Sequence, residues 1–276
     1  MPIIIKGNGE REAFDTEKLQ RSLQHVGADE ALAKEVADEI ARGIRDGMTT
    51  TEIYRQAFSL LHKREHVVAA RYSMRRAILE LGPTGFPFEK FVAELFKARG
   101  YETEHNVIVK GRCAEHEVDV IMRSQKHVIG AELKFHNTPG FKTDLKTALY
   151  VRARYWDIEW GAEDRHEKSG IDEGWLITNT KFTSNATHYA ECAGIHLLGW
   201  NYPHGAGLAE MIRTHGIYPV TVLTTLSKAE KMRLIENGAA LCSDVAKHPN
   251  VLEDIGISGK KMERVAAESA VLCNIV

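Results

Sequence analysis

Four residues, Gly82-Pro83-Thr84-Gly85, set the strongest limit on how this chain can fold. Neither glycine nor proline carries a helix onward, so the pattern that precedes them must stop there. Upstream the grammar is helical. Leu19 and Leu23 share one face, Leu32, Val36 and Ile40 share the next, and Val67 to Leu81 makes a fourth helix. Asp15 is placed to cap the first of these, which runs to about His25; the second spans about Asp29 to Arg45, and Thr50 or Thr51 caps the third, after the break at Gly47. A small hairpin comes first: Ile3-Ile4-Ile5-Lys6 out, Gly7-Asn8-Gly9 as turn residues that tolerate positive φ, and Glu10 to Phe14 back.

Downstream the period changes. Phe88, Phe91, Val92, Leu95 and Phe96 form one more helical stripe, and then Glu104 to Val109, Glu117 to Met122 and His127 to Phe135 read as strands. A helix over about Asp144 to Trp156, a strand at Trp175 to Thr178, a helix near Ser184 to Cys192 and a strand at His196 to Gly199 complete an α/β order. From about 220 the chain is helical again, with breaks at Asn237-Gly238, His248-Pro249-Asn250 and Gly256-Ile257-Ser258-Gly259. The reading is α/β (α+β overall) in three parts: 1–82, 86–203 and 220–276.

Composition excludes several classes. Among 276 residues, 43% are hydrophobic, enough to build a core, yet no run approaches the roughly 18 apolar residues of a membrane span. The amino terminus is too short in its apolar stretch for a signal peptide. Four scattered cysteines without a Cys-x-x-Cys pair fit reduced thiols and a cytoplasmic protein. With 36 basic and 38 acidic side chains the net charge is -2, so there is no basic coat for nucleic acid, although a local groove is compatible with it.

The chemistry concentrates in Glu117-Val118-Asp119-Val120-Ile121 and Ala131-Glu132-Leu133-Lys134. Alternate strand residues share a face, so Glu132 and Lys134 point together, and Asp119 joins them if the two strands pair as a hairpin. Paired carboxylates repel unless a hard cation such as magnesium or manganese neutralises them, and that ion can activate water next to a phosphate. From spacing alone, a solvated Glu–Lys pair at a sheet edge explains the same residues.

A resemblance decides between them. The stretch Phe88 to Phe96, then Gly100-Tyr101, Val118 to Ile121, Glu132-Leu133-Lys134, Thr178 to Thr183 and Gly194 to Gly199 resembles an Mrr-type restriction endonuclease domain of the PD-(D/E)xK nucleases, over about residues 86–203. That likeness implies an αβββαβ core and metal-dependent hydrolysis of DNA phosphodiesters. It makes Asp119, Glu132 and the Leu133 carbonyl the metal ligands, Lys134 the catalytic lysine and Glu89 an accessory acid. Glu117 could add a ligand or be a solvated acid, and His136 could touch phosphate or simply pack. Ala114-Glu115-His116-Glu117 stands where such proteins often carry glycines.

Residues 1–82 resemble an ATP-cone: Ile4 to Leu19, then Thr50 to Tyr54 and Ala69 to Tyr72. The likeness implies ATP or dATP as an allosteric ligand, with Lys6 and Lys18 near its phosphates, Glu12 and Asp15 near adenine or ribose, and Thr50 and Tyr54 on the other wall. The family's Lys-Arg-Asp-Gly is Lys6-Gly7-Asn8-Gly9 here. Leu252 to Val265 resembles a helix-hairpin-helix, which implies phosphate contacts from Gly256, Gly259, Lys260 and Lys261. His62-Lys63-Arg64-Glu65-His66 fits a zinc-protease pattern and is read as chance. The expected function is a DNA endonuclease regulated by adenine nucleotide, assembled as a homo-oligomer. The alternative is a non-catalytic, nucleotide-responsive DNA-binding regulator on the same scaffold. A nucleotide-hydrolysing enzyme is the weakest reading, because no Walker-type loop is present.

Overall fold

The computed structural model describes residues 2–7, 9–138, 140–166 and 170–273; Asn8, the centre of the expected hairpin turn, lies outside them. The cone opens with antiparallel β1 (Ile3–Ile5) and β2 (Arg11–Ala13), followed by α1 (Thr16–His25), α2 (Glu30–Gly43), α3 (Thr50–Arg64) and α4 (His66–Leu79). Asp15 caps α1 by accepting a hydrogen bond from the Lys18 N–H at 3.0 Å. The cap of α3 is Thr49, not Thr50 or Thr51. Thr49 and Glu52 stand three apart and bond reciprocally to each other's backbone N–H, a capping box that the later threonines cannot form with Glu52. Leu23, Ala33, Val36, Ile40, Leu61 and Val68 fill a core between these helices.

After the break at 82–85, α5 (Phe86–Lys97) leads into β3 (Glu102–Lys110), β4 (Glu115–Arg123) and β5 (Val128–Lys134), then β6 (Lys142–Thr143), α6 (Leu145–Asp164), β7 (Glu173–Thr178), β8 (Lys181–Phe182), α7 (Ser184–Ala193) and β9 (His196–Leu198). Five strands make one mixed sheet in the order β3-β4-β5-β7-β9, antiparallel up to β5 and parallel beyond it. Parallel pairing needs a crossover, and α6 and α7 supply it. The stripe Phe88, Phe91, Val92, Leu95 and Phe96 packs on one sheet face, whereas Val151, Tyr155 and Ile158 of α6 cover the other.

Helix α6 runs eight residues beyond the expected Trp156. Ile158 and Ala162 keep its buried face going, while the intervening acids point out and hide the periodicity. The C-terminal part holds α8 (Leu208–His215), α9 (Lys228–Glu236), α10 (Cys242–Lys247) and α11 (Gly259–Leu272), with 3₁₀ turns at Val220–Val222 and Pro249–Ile255. Its core is continuous with that of α5, since Leu234, Leu252 and Val265 belong to the same buried cluster as Phe88. Helix α4 ties the parts together. Its Val68 and Ala69 lie in the cone core, its Met74 and Ile78 lie in the shared one, and the Ala77 carbonyl accepts from the Thr221 hydroxyl at 2.8 Å.

Candidate active site

Strands β4 and β5 separate just where the chemistry sits. Their last ladder pair is Val120 with Ala131. One step further on, the Asp119 side chain takes over from the backbone: its Oδ2 accepts from the Leu133 N–H at 2.7 Å. On the opposite flank, Asn106 of β3 falls between the pairs His105–Val120 and Val107–Val118, facing Asp119, and has φ +51°. Asparagine is one of the few residues that accept a left-handed backbone. Here it breaks the β3–β4 ladder opposite Asp119, which stays half-buried.

Glu132 is buried, 4% exposed. Such a carboxylate needs partners, and it has two: Lys134 Nζ stands 3.1 Å from Oε1, and the buried Arg154 of α6 bonds Oε2. Arg154 also bonds the Tyr150 hydroxyl, which fixes the guanidinium's orientation. Arg154 carries no motif and lies 22 residues from Glu132. A buried arginine on the helix that covers a carboxylate strand is the one signal that could have found it.

Glu89, on the first turn of α5, completes the group. Burial, then the charges of Asp119, Glu117 and Glu132, push its carboxyl up to about 7. Burial and the Glu132 charge likewise push Asp119 up to about 6, against the opposing pull of the Leu133 N–H, Arg154 and Lys134. Glu89 and Asp119 each feel the charge of a neighbouring carboxylate, and their hard oxygen donors suit a divalent cation. Among the described residues no three His, Cys, Asp or Glu side chains close on a common point. Asp119 and Glu132 are the carboxylates available to a cation here, and Glu132 already has two basic partners.

The structure thus brings together Glu89, Asp119, Glu132 and Lys134, with Glu117 exposed at the rim. His136 is tied down otherwise: Asn179 bonds its backbone N–H at 2.9 Å and its carbonyl at 2.7 Å, and its ring meets the Thr143 hydroxyl at 3.2 Å. His116 is pinned by Asp157 at 2.7 Å, which also holds the Cys113 and Ala114 N–H groups, so this turn is anchored on α6 without the expected glycines.

In the cone, Lys6, Thr50 and Tyr54 line one cleft, with Tyr54 stacked on Tyr72 at 5.1 Å. Glu12, Asp15 and Lys18 do not line it. Glu12 pairs with Lys6 at 2.8 Å and with Lys18 at 3.2 Å, and Asp15 is occupied as the α1 cap. At the C-terminus Gly256 and Gly259 both have positive φ, Lys260 is exposed, and Lys261 is held by Glu230 at 2.6 Å. The Gly256 and Ile257 N–H groups bond back to Glu253 and Leu252. His62 and His66 face each other, Nδ1 to Nδ1, at 3.0 Å, and no third ligand joins them among the described residues.

Comparison with known proteins finds three family models along the chain: an ATP cone domain over residues 2–80, an Mrr-type restriction endonuclease domain over 82–212 and an AF1548-like C-terminal domain over 218–273. An uncharacterized protein of Archaeoglobus fulgidus is 39% identical over 179 residues, 64% of this chain and 97% of its own. The crystal structure of AF1548, a protein of unknown function, superposes with a TM-score of 0.56 at 38% identity, over 68% of this chain and 98% of that one. The MspJI restriction endonuclease in complex with a 27-mer oligonucleotide has a TM-score of 0.29 at 14% identity, over 86% of this chain and 47% of that one, too weak a likeness to carry an argument. None of the described helices is long and apolar enough to cross a membrane.

Proposed function

The chain belongs to the AF1548-like proteins, with a restriction-endonuclease domain behind an ATP cone, and from that premise we propose that it is a divalent-metal-dependent DNA endonuclease controlled by an adenine nucleotide. The observation that carries this reading is the meeting of Glu89, Asp119, Glu132 and Lys134 at the split between β4 and β5, with two carboxyls pushed toward neutrality. Asp119, Glu132 and the Leu133 carbonyl would hold magnesium or manganese. Bound there, the ion supplies Lewis-acid polarisation of the phosphate and a lowered pKa for water.

The remaining steps belong to the chain's own groups. Lys134, held by Glu132, presents its ammonium where negative charge grows as the phosphate is attacked. Glu89, poised near neutral, takes the proton from water or passes one on. Arg154 bonds Glu132 inside the fold and fixes where it points. The C-terminal hairpin, with Lys260, adds a sequence-independent phosphate contact. Free, unpaired cysteines fit a cytoplasmic setting. Oligomerisation belongs to the same reading, its support being the stacked Trp156 and Trp160, each 46% exposed on α6.

One observation favours the rival reading of a non-catalytic, nucleotide-responsive DNA-binding protein: both Glu132 oxygens already have basic partners. Incubating supercoiled plasmid with the protein and magnesium separates the two. Nicking that stops on chelation and in Asp119→Ala supports the enzyme; binding without any nicking supports the regulator.

A further inference from the structure

A large cavity lies apart from the carboxylates. It lies between the cone and the nuclease domain, about 1330 Å³ in volume, above the roughly 300–1,000 Å³ of an ordinary small-molecule site. Its walls are strongly one-signed. Lys6, Arg55, Arg71 and Arg75 face it from the cone, Lys142 and Lys181 from the nuclease domain. The single carboxylate among its lining residues, Glu80, is already held by Arg76 at 2.9 Å. Among the described residues Arg55, Arg71, Arg75, Lys142 and Lys181 make no ion pair, and the buried Arg71 Nε has no hydrogen-bond partner. In a chain with as many acids as bases, this segregation of positive charge marks a site for a polyanion.

The nuclease side of the cleft has its own peculiarity. Strands β6 and β8 are two residues each, and their parallel register sets Lys142 directly opposite Lys181. Like charges facing across a ladder are unfavourable, and an anion between them removes the cost. The pair is also wired to the catalytic strand. Buried Thr143, next to Lys142, donates from its hydroxyl to that of Thr178 at 3.2 Å, and the Thr178 hydroxyl lies 2.8 Å from the Lys134 carbonyl. The loop between β5 and β6 is clamped by Asn179 on His136, and its Phe141 and Asn137 line the cleft.

We propose that Lys142 and Lys181 are the nuclease-side contacts for the phosphate chain of a nucleoside polyphosphate whose base and sugar sit against the cone. This rests on the cone binding an adenine nucleotide, and it adds that the ligand bridges the two domains. Its β- and γ-phosphates neutralise the facing lysines, and through the Thr143–Thr178–Lys134 hydrogen bonds occupancy of the cleft is felt at the catalytic strand. Coupling of this kind requires the ligand to bind one arrangement of that strand better than another.

Calorimetric titration of the full-length protein with ATP tests it, comparing wild type, Lys6→Ser, a Lys142→Ser/Lys181→Ser pair and a Lys142→Arg/Lys181→Arg pair. The serine pair is expected to weaken ATP by about tenfold or more, and the arginine pair, which keeps the charge, to bind within about threefold of wild type. Equal affinity in wild type and the serine pair, with Lys6→Ser impaired, overturns the bridge while sparing the cone. An arginine pair as weak as the serine pair overturns it too, since charge is then not what matters. No heat with wild type removes the cone reading and the bridge together.

Discussion

At the scale of single residues, the buried Glu132 and the arginine beside it stand or fall together. Arg154 bonds the Glu132 carboxylate, and removing one partner of a buried pair leaves the other exposed to the full cost of desolvation. Arg154→Ala should therefore lower stability by about 3–5 kcal/mol in urea unfolding, and adding Glu132→Gln should recover part of the loss. If the double variant is less stable than Arg154→Ala alone, the pair is not organised as described. Glu89 makes a prediction with a pH sign. Its carboxyl is raised from 4.5 to about 7 in the fold, so the native state binds the extra proton. Stability from this group is full below about pH 4.5 and lost as pH climbs through about 7. In metal-free thermal melts Glu89→Gln should gain on wild type across that window; a constant difference would show that the acid is not buried against its neighbours.

At the scale of elements, α6 crosses the β3–β4 turn at close range. A Cβ on Gly161 would lie 2.4 Å from the Gly111 carbonyl carbon, backbone against backbone, so neither side can yield cheaply. Gly161→Ala is expected to cost roughly 1–3 kcal/mol and to speed hydrogen exchange in the arm at 111–118, whereas an unchanged melting midpoint would mean that the crossing is loose. The elements themselves were mostly legible in the sequence because their periods are clear. The stripe of α5, the pairing of β4 with β5 and the Asp15 cap all match the structure. What escaped has physical causes. Strands β6 and β8 are too short to show any period. The end of α6 is masked by outward acids. The Thr49 cap shows only when Glu52 is read with it. Arg154, decisive for the site, stands in a helix whose sequence says nothing about the strand beneath it.

At the scale of the whole molecule, net charge conceals where charge resides. A balance of 36 against 38 coexists with a gathering of carboxyls at Glu89, Asp119 and Glu132 and a cleft lined mostly by basic side chains. The α4 helix crosses from the cone core into the core shared by the nuclease and C-terminal parts, so these parts melt together in this account. ATP at 100 times its dissociation constant should then raise the stability of the whole chain by about 2.7 kcal/mol in a single transition. A melt in which ATP moves only one of two separate transitions would show that the cone is an independent unit.

The most direct test is cleavage of supercoiled plasmid at low salt with magnesium or manganese, wild type beside Asp119→Ala and Lys134→Ala. The account predicts nicked or linear DNA from wild type, none after chelation, and a loss of about 100-fold or more in each variant. Equal nicking by wild type and Asp119→Ala, or intact plasmid from wild type with either metal, would contradict it.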